Sequence, residues 1–150
     1  MFTPQQVRDA FPESNYRVSA SRLEITEAER LLGHDLPPQL KLLYSVFDGF
    51  DGPTDAPFLF PLLDRPAPRG ESLVTYTLFL RGEGYFPTWV QNAVALGHDG
   101  TGTAWFFLLG LENQLVVWNT EWEEYEVVDG NLLDAWCKAK AMYELIDLDA

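Results

Sequence analysis

The stretch ALGHDGTGTAWFFLLG, Ala95 to Gly110, sets three glycines, a histidine and an aspartate just ahead of an aromatic run. A phosphate-binding P-loop needs GxxxxGK[ST] between a strand and a helix, and the dinucleotide fingerprint needs GxGxxG opening onto a helix N-terminus. Here the spacing is Gly97-x-x-Gly100-x-Gly102 with no lysine, and the bulky run Trp105-Phe106-Phe107-Leu108 that follows reads as strand. Asp99-Gly100 between two apolar segments is a hairpin signal, because glycine supplies the positive φ such a turn requires. The stretch therefore predicts two antiparallel strands joined by a tight turn.

Working outward, VALG, TAWFFLLG, LVVWN and EYEVV form four strand-like segments rich in Val, Trp, Phe and Tyr, separated by short turns, which predicts an antiparallel meander. Asn131 caps a final helix in which Leu132, Trp136, Ala139 and Tyr143 recur at spacings of three or four. Upstream, SLVTYTLFLRG fits either period: Val74, Tyr76, Leu78 and Leu80 alternate as in a strand, while Leu73, Tyr76 and Leu80 fit a helix. Phe58 to Leu63, FLFPLL, is short and apolar with an internal proline, as at an edge strand or a strand end, and RPAPRGE is a loop.

Three helices are expected before it. Thr3, Pro4 and Gln6 have the form of a capped helix start running to about Phe11. Thr26 with Glu29 repeats the capping signal, with Ala28, Leu31 and Leu32 on one face before Gly33. Pro37-Pro38 opens a third helix through Leu40, Leu43, Tyr44 and Phe47, ended by Gly49 in an acidic loop.

The chain has 150 residues, a single-domain length, and a domain of that size buries about 70% of the surface its unfolded chain exposes. With 47% hydrophobic and 14% aromatic residues against 22% charged, it has the material for one core. Ten Lys and Arg against 23 Asp and Glu leave a net charge of -13. Such a surface repels phosphate backbones, so nucleic acid is not an expected partner, whereas a basic protein would be steered inward. Cys137 is the only cysteine, so no disulfide forms within the chain and a reducing cytoplasm fits. The opening MFTPQQVRDAF lacks the basic and apolar regions of a signal peptide, and no apolar run approaches the roughly 20 residues of a membrane span. The expectation is a soluble, cytoplasmic protein without a membrane partner.

No catalytic constellation is visible. His34 and His98 are far apart, each with only an adjacent aspartate, and read as surface loop residues, while Cys137 among Leu132, Leu133 and Trp136 reads as a buried, inert thiol. Paired carboxylates are plentiful in so acidic a chain, and no spacing singles one pair out. Neither a metal nor another cofactor is expected. Two clusters instead suggest protein binding. In WNTEWEEYEVV, Glu121, Glu123 and Glu124 surround Trp122 near a hairpin tip, with Tyr125 and Val127 turned to the core. Asp48, Asp51 and Asp55 form the second cluster, placed in the glycine-rich loop after the third helix.

The order of these pieces resembles the SUKH superfamily, which groups fungal cell-wall assembly regulators with many bacterial immunity proteins. In ITEAERLLGHDLPPQLKLLYSVFDGF, Leu32-Gly33 ends a helix, Leu36-Pro37 begins the next, and an aromatic end runs from Phe47 into Gly49. ALGHDGTGTAWFFLL is similar to the family's central hairpin, and NLLDAWCKAKAMYEL to its last helix. Relatives commonly carry an acid after the hairpin glycines and another near the end of the next strand, where this chain has Thr103 and Leu109 or Gly110, so no role of those acids is carried over. The likeness runs from Ile25 to about Tyr143 and implies an α+β domain with a central mostly antiparallel sheet flanked by helices; Met1 to Leu23 has no clear counterpart in the family and is expected as a short helical extension of one domain over residues 1–150. It also implies binding rather than catalysis: a cytoplasmic immunity protein that occludes a basic toxin domain, in many relatives a nuclease. The alternative is an intracellular scaffold or regulatory adaptor with no toxin partner, as the fungal members suggest.

Overall fold

Thr3 begins the first helix by exchanging hydrogen bonds with Gln6: its hydroxyl accepts from the Gln6 N–H at 3.2 Å, and the Gln6 carboxamide accepts from the Thr3 N–H at 2.8 Å. Helix α1 runs Pro4–Ala10 and leads to a short strand β1, Tyr16–Val18. The computed structural model describes residues 1–64, 71–84, 86–110, 114–119, 124–128 and 130–148. Phe2, Val7 and Phe11 enter the core, and Gln39 holds Phe2 at both its N–H and its carbonyl.

Helix α2 spans Arg22–Leu32 and starts earlier than the Thr26 cap predicts. Ser21 is the N-cap, paired reciprocally with Glu24, and Thr26 lies inside the helix with its hydroxyl donating to the Arg22 carbonyl at 3.0 Å. Both Ser21-x-x-Glu24 and Thr26-x-x-Glu29 have capping-box form, but the earlier start brings Ile25 into the stripe with buried Ala28 and Leu32. Leu31 falls beside that stripe and is exposed. Gly33 closes the helix in the left-handed region, as expected.

Helix α3, Pro38–Tyr44, is a turn shorter than its apolar spacing suggests. Phe47–Asp51 is strand β2, with Gly49 inside it, and this corrects both the helix end and the acidic loop. The three-residue spacing of Phe47 and Phe50 looks helical, yet both are buried from the strand. β2 pairs antiparallel with β1 and with β3, Pro57–Leu59. Helix α4, Leu73–Gly82, resolves the ambiguous segment: the Ser72 hydroxyl caps it at the Thr75 N–H, and Leu73, Val74, Thr77 and Leu80 form its buried stripe.

The meander forms as read. β4 (Ala93–His98), β5 (Thr103–Leu108), β6 (Leu115–Asn119) and β7 (Glu124–Val128) pair antiparallel in chain order, and α5 spans Leu132–Leu148. The architecture is α+β, with five α-helices and two antiparallel sheets of three and four strands among the described residues, where one central sheet was expected. The sheets meet where the Phe60 N–H donates to the Leu96 carbonyl at 2.8 Å. Pro61 follows with no N–H to give, so the ladder cannot extend. Tyr125 and Val127 correct the expectation of an inward face on β7. They are 51% and 46% exposed, and the Tyr125 ring leans on Trp89 at 5.2 Å.

Two glycines at this junction are tightly constrained. At Gly97 a Cβ would run into the backbone of Phe58, while Gly100 turns the hairpin at φ 79. We expect Gly97→Ala to cost about 3 kcal/mol through enforced backbone separation, and Gly100→Val on the order of 1–3 kcal/mol through strain. Urea melts check both, and wild-type midpoints would contradict the close approach and the turn.

Buried phenols give the fold an alkaline limit. The Tyr44 hydroxyl donates to the Phe60 carbonyl at 2.7 Å, and burial, aided by the Asp48 carboxylate, pushes its pKa well above the ordinary 10.0. Burial likewise raises Tyr76, with Glu71 adding to it, and pushes Tyr16 up to about 12 against an opposing pull from Arg8. The unfolded chain therefore loses these protons first, so stability intact below pH 10.0 should fall as pH climbs toward about 12. Tyr44→Phe should lessen that slope while removing about 1 kcal/mol at neutral pH. Urea melts at rising pH, read with tyrosinate absorbance, check it, and a pH-independent stability would refute it.

Candidate protein-binding surface

Helix α5 is anchored along one stripe. Asn131 caps it, its side-chain oxygen accepting from the Asp134 N–H at 2.9 Å. Leu132 and Trp136 are buried, and the Trp136 indole donates to the Phe58 carbonyl at 3.1 Å. Lys140 continues the stripe, donating to the Ala10 carbonyl at 2.7 Å with its ammonium 5.3 Å from the Phe11 ring centroid. A neighbouring stripe, Ala135, Lys138, Ala139, Met142 and Tyr143, faces the sheet without filling the space before it. The small alanines leave a cleft of about 330 Å³ floored by Trp105 and Val117 of β5 and β6.

The loops at this end are tied together by short polar contacts. In the turn after β2, the Gly52 N–H donates to the Ala56 carbonyl and the Asp55 N–H to the Gly52 carbonyl. Asp55 itself sits at φ 64, a conformation that favours glycine. The Thr54 hydroxyl donates to the Asp99 carbonyl at 2.7 Å, joining this turn to the glycine hairpin. The Asp99 carboxylate accepts from the Thr101 and Thr103 N–H groups at 2.8 and 3.1 Å. The role of Asp99 is thus to hold the turn.

On the other side of Tyr143 lies a second groove of about 510 Å³, walled by Glu13, Asp51, Asp55 and Glu144 with Lys140 at its base. Tyr143 lines both grooves, so a carboxylate-walled channel and an apolar cleft share one ridge. Asp51 is paired with Arg17 at 2.9 Å and Glu144 with Lys140 at 4.0 Å, and Glu13, Asp55 and Glu144 are exposed.

The residues predicted from sequence separate on this frame. Asp51 and Asp55 come together in the acidic groove. Asp48 does not join them. It lies in β2 at 1% exposure and accepts from the Leu62 N–H at 2.8 Å, supplying a side-chain acceptor to a buried backbone donor. Glu124 is exposed at the start of β7, on the face that two residues later presents Glu126 to the apolar cleft. Glu121, Trp122 and Glu123 lie outside the described residues. Sequence reading missed Glu13, Glu144 and Met142; the spacing of Ala135, Ala139, Met142 and Tyr143 carried a signal for the last.

Other candidates offer less chemistry. Cys137 is half-buried rather than enclosed, and desolvation pushes its thiol up, away from the reactive thiolate, with Lys140 opposing and Asp134 adding. His98 belongs to β4, its ring tilted against Phe60 at 5.7 Å and its Nδ1 accepting from the Gly100 N–H at 3.1 Å. His34 accepts at Nε2 from Arg81, whose guanidinium also donates to the Leu32 and Ala93 carbonyls and whose pKa is lowered by burial. This arginine clamps α2 to α4 and β4. Among the described residues no three His, Cys, Asp or Glu side chains converge as metal ligands, and no helix is long and apolar enough to cross a membrane.

No family model matches the chain, and no curated protein matches it.

The two aspartates should respond oppositely to substitution. Asp48→Ala should destabilise by about 1–3 kcal/mol, since it strands the buried Leu62 N–H. Asp55→Gly removes a charge and relieves a left-handed residue, so stability should hold or rise by a few tenths to about 1 kcal/mol. Urea melts of both variants decide it; a large loss in Asp55→Gly would give that carboxylate a structural role.

Proposed function

We propose that this protein is a cytoplasmic immunity protein that binds a basic toxin domain and neutralises it by occlusion. The observation that carries the reading is the pairing of a carboxylate-walled groove with an apolar cleft across Tyr143. Acidic walls steer a basic partner and orient it, while an adjoining desolvated apolar patch slows its release. A toxin acting on phosphate substrates needs a basic surface, and a chain of net charge -13 competes for that surface. The resemblance to SUKH immunity proteins supports the same partner class, and neutralisation by occlusion requires neither a cofactor nor a catalytic group.

Co-expression with a toxin domain sought among the neighbouring genes or by pull-down from the native cell tests the reading, scored by cell survival and by association and dissociation rates. Wild type should rescue growth. Glu13→Lys with Glu144→Lys should lower the association rate on the order of tenfold at low salt and flatten its salt dependence, the interaction being screened over roughly 10 Å at 0.1 M. Glu124→Lys should act in the same direction with less effect. Toxicity unrelieved by wild type would overturn the immunity reading, and unchanged rates in the double variant would move the interface elsewhere.

A further inference from the structure

The second half of α5 is apolar on faces that nothing among the described residues covers. Met142 is 55% exposed and Leu145 58%, although the same helix buries Trp136 completely. A helix apolar on more than one face ordinarily lies between two packed layers. Here one layer is the pair of sheets, reached through Trp136. The other side opens on the cleft between Ala135, Ala139 and Met142 of α5 and Trp105 and Val117 of the sheet.

The cleft's size and rim define what fits. About 330 Å³ accommodates one or two large apolar side chains, and its bottom is apolar. Its rim carries the exposed Glu126 on β7 and Lys138 on α5, and across Tyr143 the wall continues as Glu13, Asp55 and Glu144. Lys140, which donates to the Ala10 carbonyl, also lies 4.0 Å from the Glu144 carboxylate and offsets part of that charge, so Glu13 and Asp55 carry most of the wall's field. A second copy of the chain would bring the same carboxylates against one another. An acidic segment would meet the same repulsion.

We infer that the cleft between α5 and the four-stranded sheet seats a leucine or aromatic side chain from a basic amphipathic segment of the partner, whose Lys and Arg lie over the Glu13, Asp55 and Glu144 wall. This rests on the proposed immunity reading for the identity of the partner, but not for the chemistry of the segment. The anchor supplies residence time and the basic face supplies encounter rate, so the division of labour falls on either side of Tyr143.

The test titrates the isotope-labelled full-length chain with three synthetic helical peptides: one with a leucine face and a lysine face, one with its lysines replaced by glutamate, and one with its leucines replaced by serine. The leucine-lysine peptide should shift the Trp105 indole and the Ala135, Ala139 and Met142 methyl resonances together, and bind at least about tenfold more tightly than either control. Ala139→Phe fills the cleft and should weaken binding by a similar factor. Because added bulk can disturb packing, Met142→Ser at the exposed mouth is the second variant, with melts confirming that both fold. Equal binding by the serine peptide would overturn the anchor, and equal binding by the glutamate peptide would overturn the charge selection. A concentration-dependent dimer of the free chain, dissolved by Met142→Ser, would give the cleft to a second copy and overturn the inference. The toxin assay separates the two claims. Selective seating of the leucine-lysine peptide without rescue by wild type upholds the cleft and sinks immunity, while full rescue and unchanged dissociation by Ala139→Phe upholds immunity and sinks the cleft.

Discussion

The Trp136 indole donates to the Phe58 carbonyl at 3.1 Å from a fully enclosed position, and most of the architecture converges on that pair. An indole N–H buried without an acceptor is costly, so Trp136 enters the core only where β3 presents a free carbonyl. Phe58 provides it at the crossing of the two sheets, where its ring also meets Phe11, Phe50 and Trp105 at centroid distances of 5.7, 6.2 and 4.9 Å. Phe2 and Phe50 then close on the edges of the Trp136 ring. One hydrogen bond thereby fixes α5 against elements drawn from both sheets and from the N-terminal helix.

The surface at the end of α5 follows from that anchorage. With Trp136 inward, the stripe led by Ala135 and Ala139 must face the four-stranded sheet, and alanines cannot reach Trp105 and Val117. The cleft is therefore what remains when a large anchor and small neighbours occupy adjacent stripes of one helix. Lys140, one turn beyond the anchor, draws the helix onto the C-terminal end of α1, and Glu13 and Glu144 then line one groove. The acidic groove is thus assembled from residues whose only common property is proximity to a docked helix.

Local chemistry was legible in the sequence where a single short signal decides the outcome, though not at α2, where the Ser21 and Thr26 capping signals competed. The Thr3 and Asn131 caps, the left-handed Gly33 and the turn at Gly100 each depend on neighbours within four positions. The four-strand meander was legible because bulky residues cluster between turn signals. β2 was not, since Phe47 and Phe50 at a spacing of three satisfy a helix as well as a bent strand, and only pairing with β1 and β3 decides between them. The division into two sheets was hidden for a related reason: it depends on the close approach at Gly97, which no short window records. Of the acidic residues singled out, Asp51 and Asp55 converge, whereas Asp48 serves the backbone. Burial of a carboxylate is set by a partner fourteen positions away, and charge patterning alone cannot distinguish it from a solvated one.

Trp136 also orders events during synthesis. Its acceptor and most of its aromatic neighbours belong to the first sixty residues, yet the ring itself emerges only after both sheets have been made. Until then Phe2, Phe50 and Phe58 have no lid, and the nascent chain carries an open aromatic hollow that invites chaperones or wrong pairings. Contacts spanning so much of the chain also slow closure relative to local ones. Completion of this protein is therefore a late, concerted step, in which the helix that shapes the outer surface is the one that seals the interior.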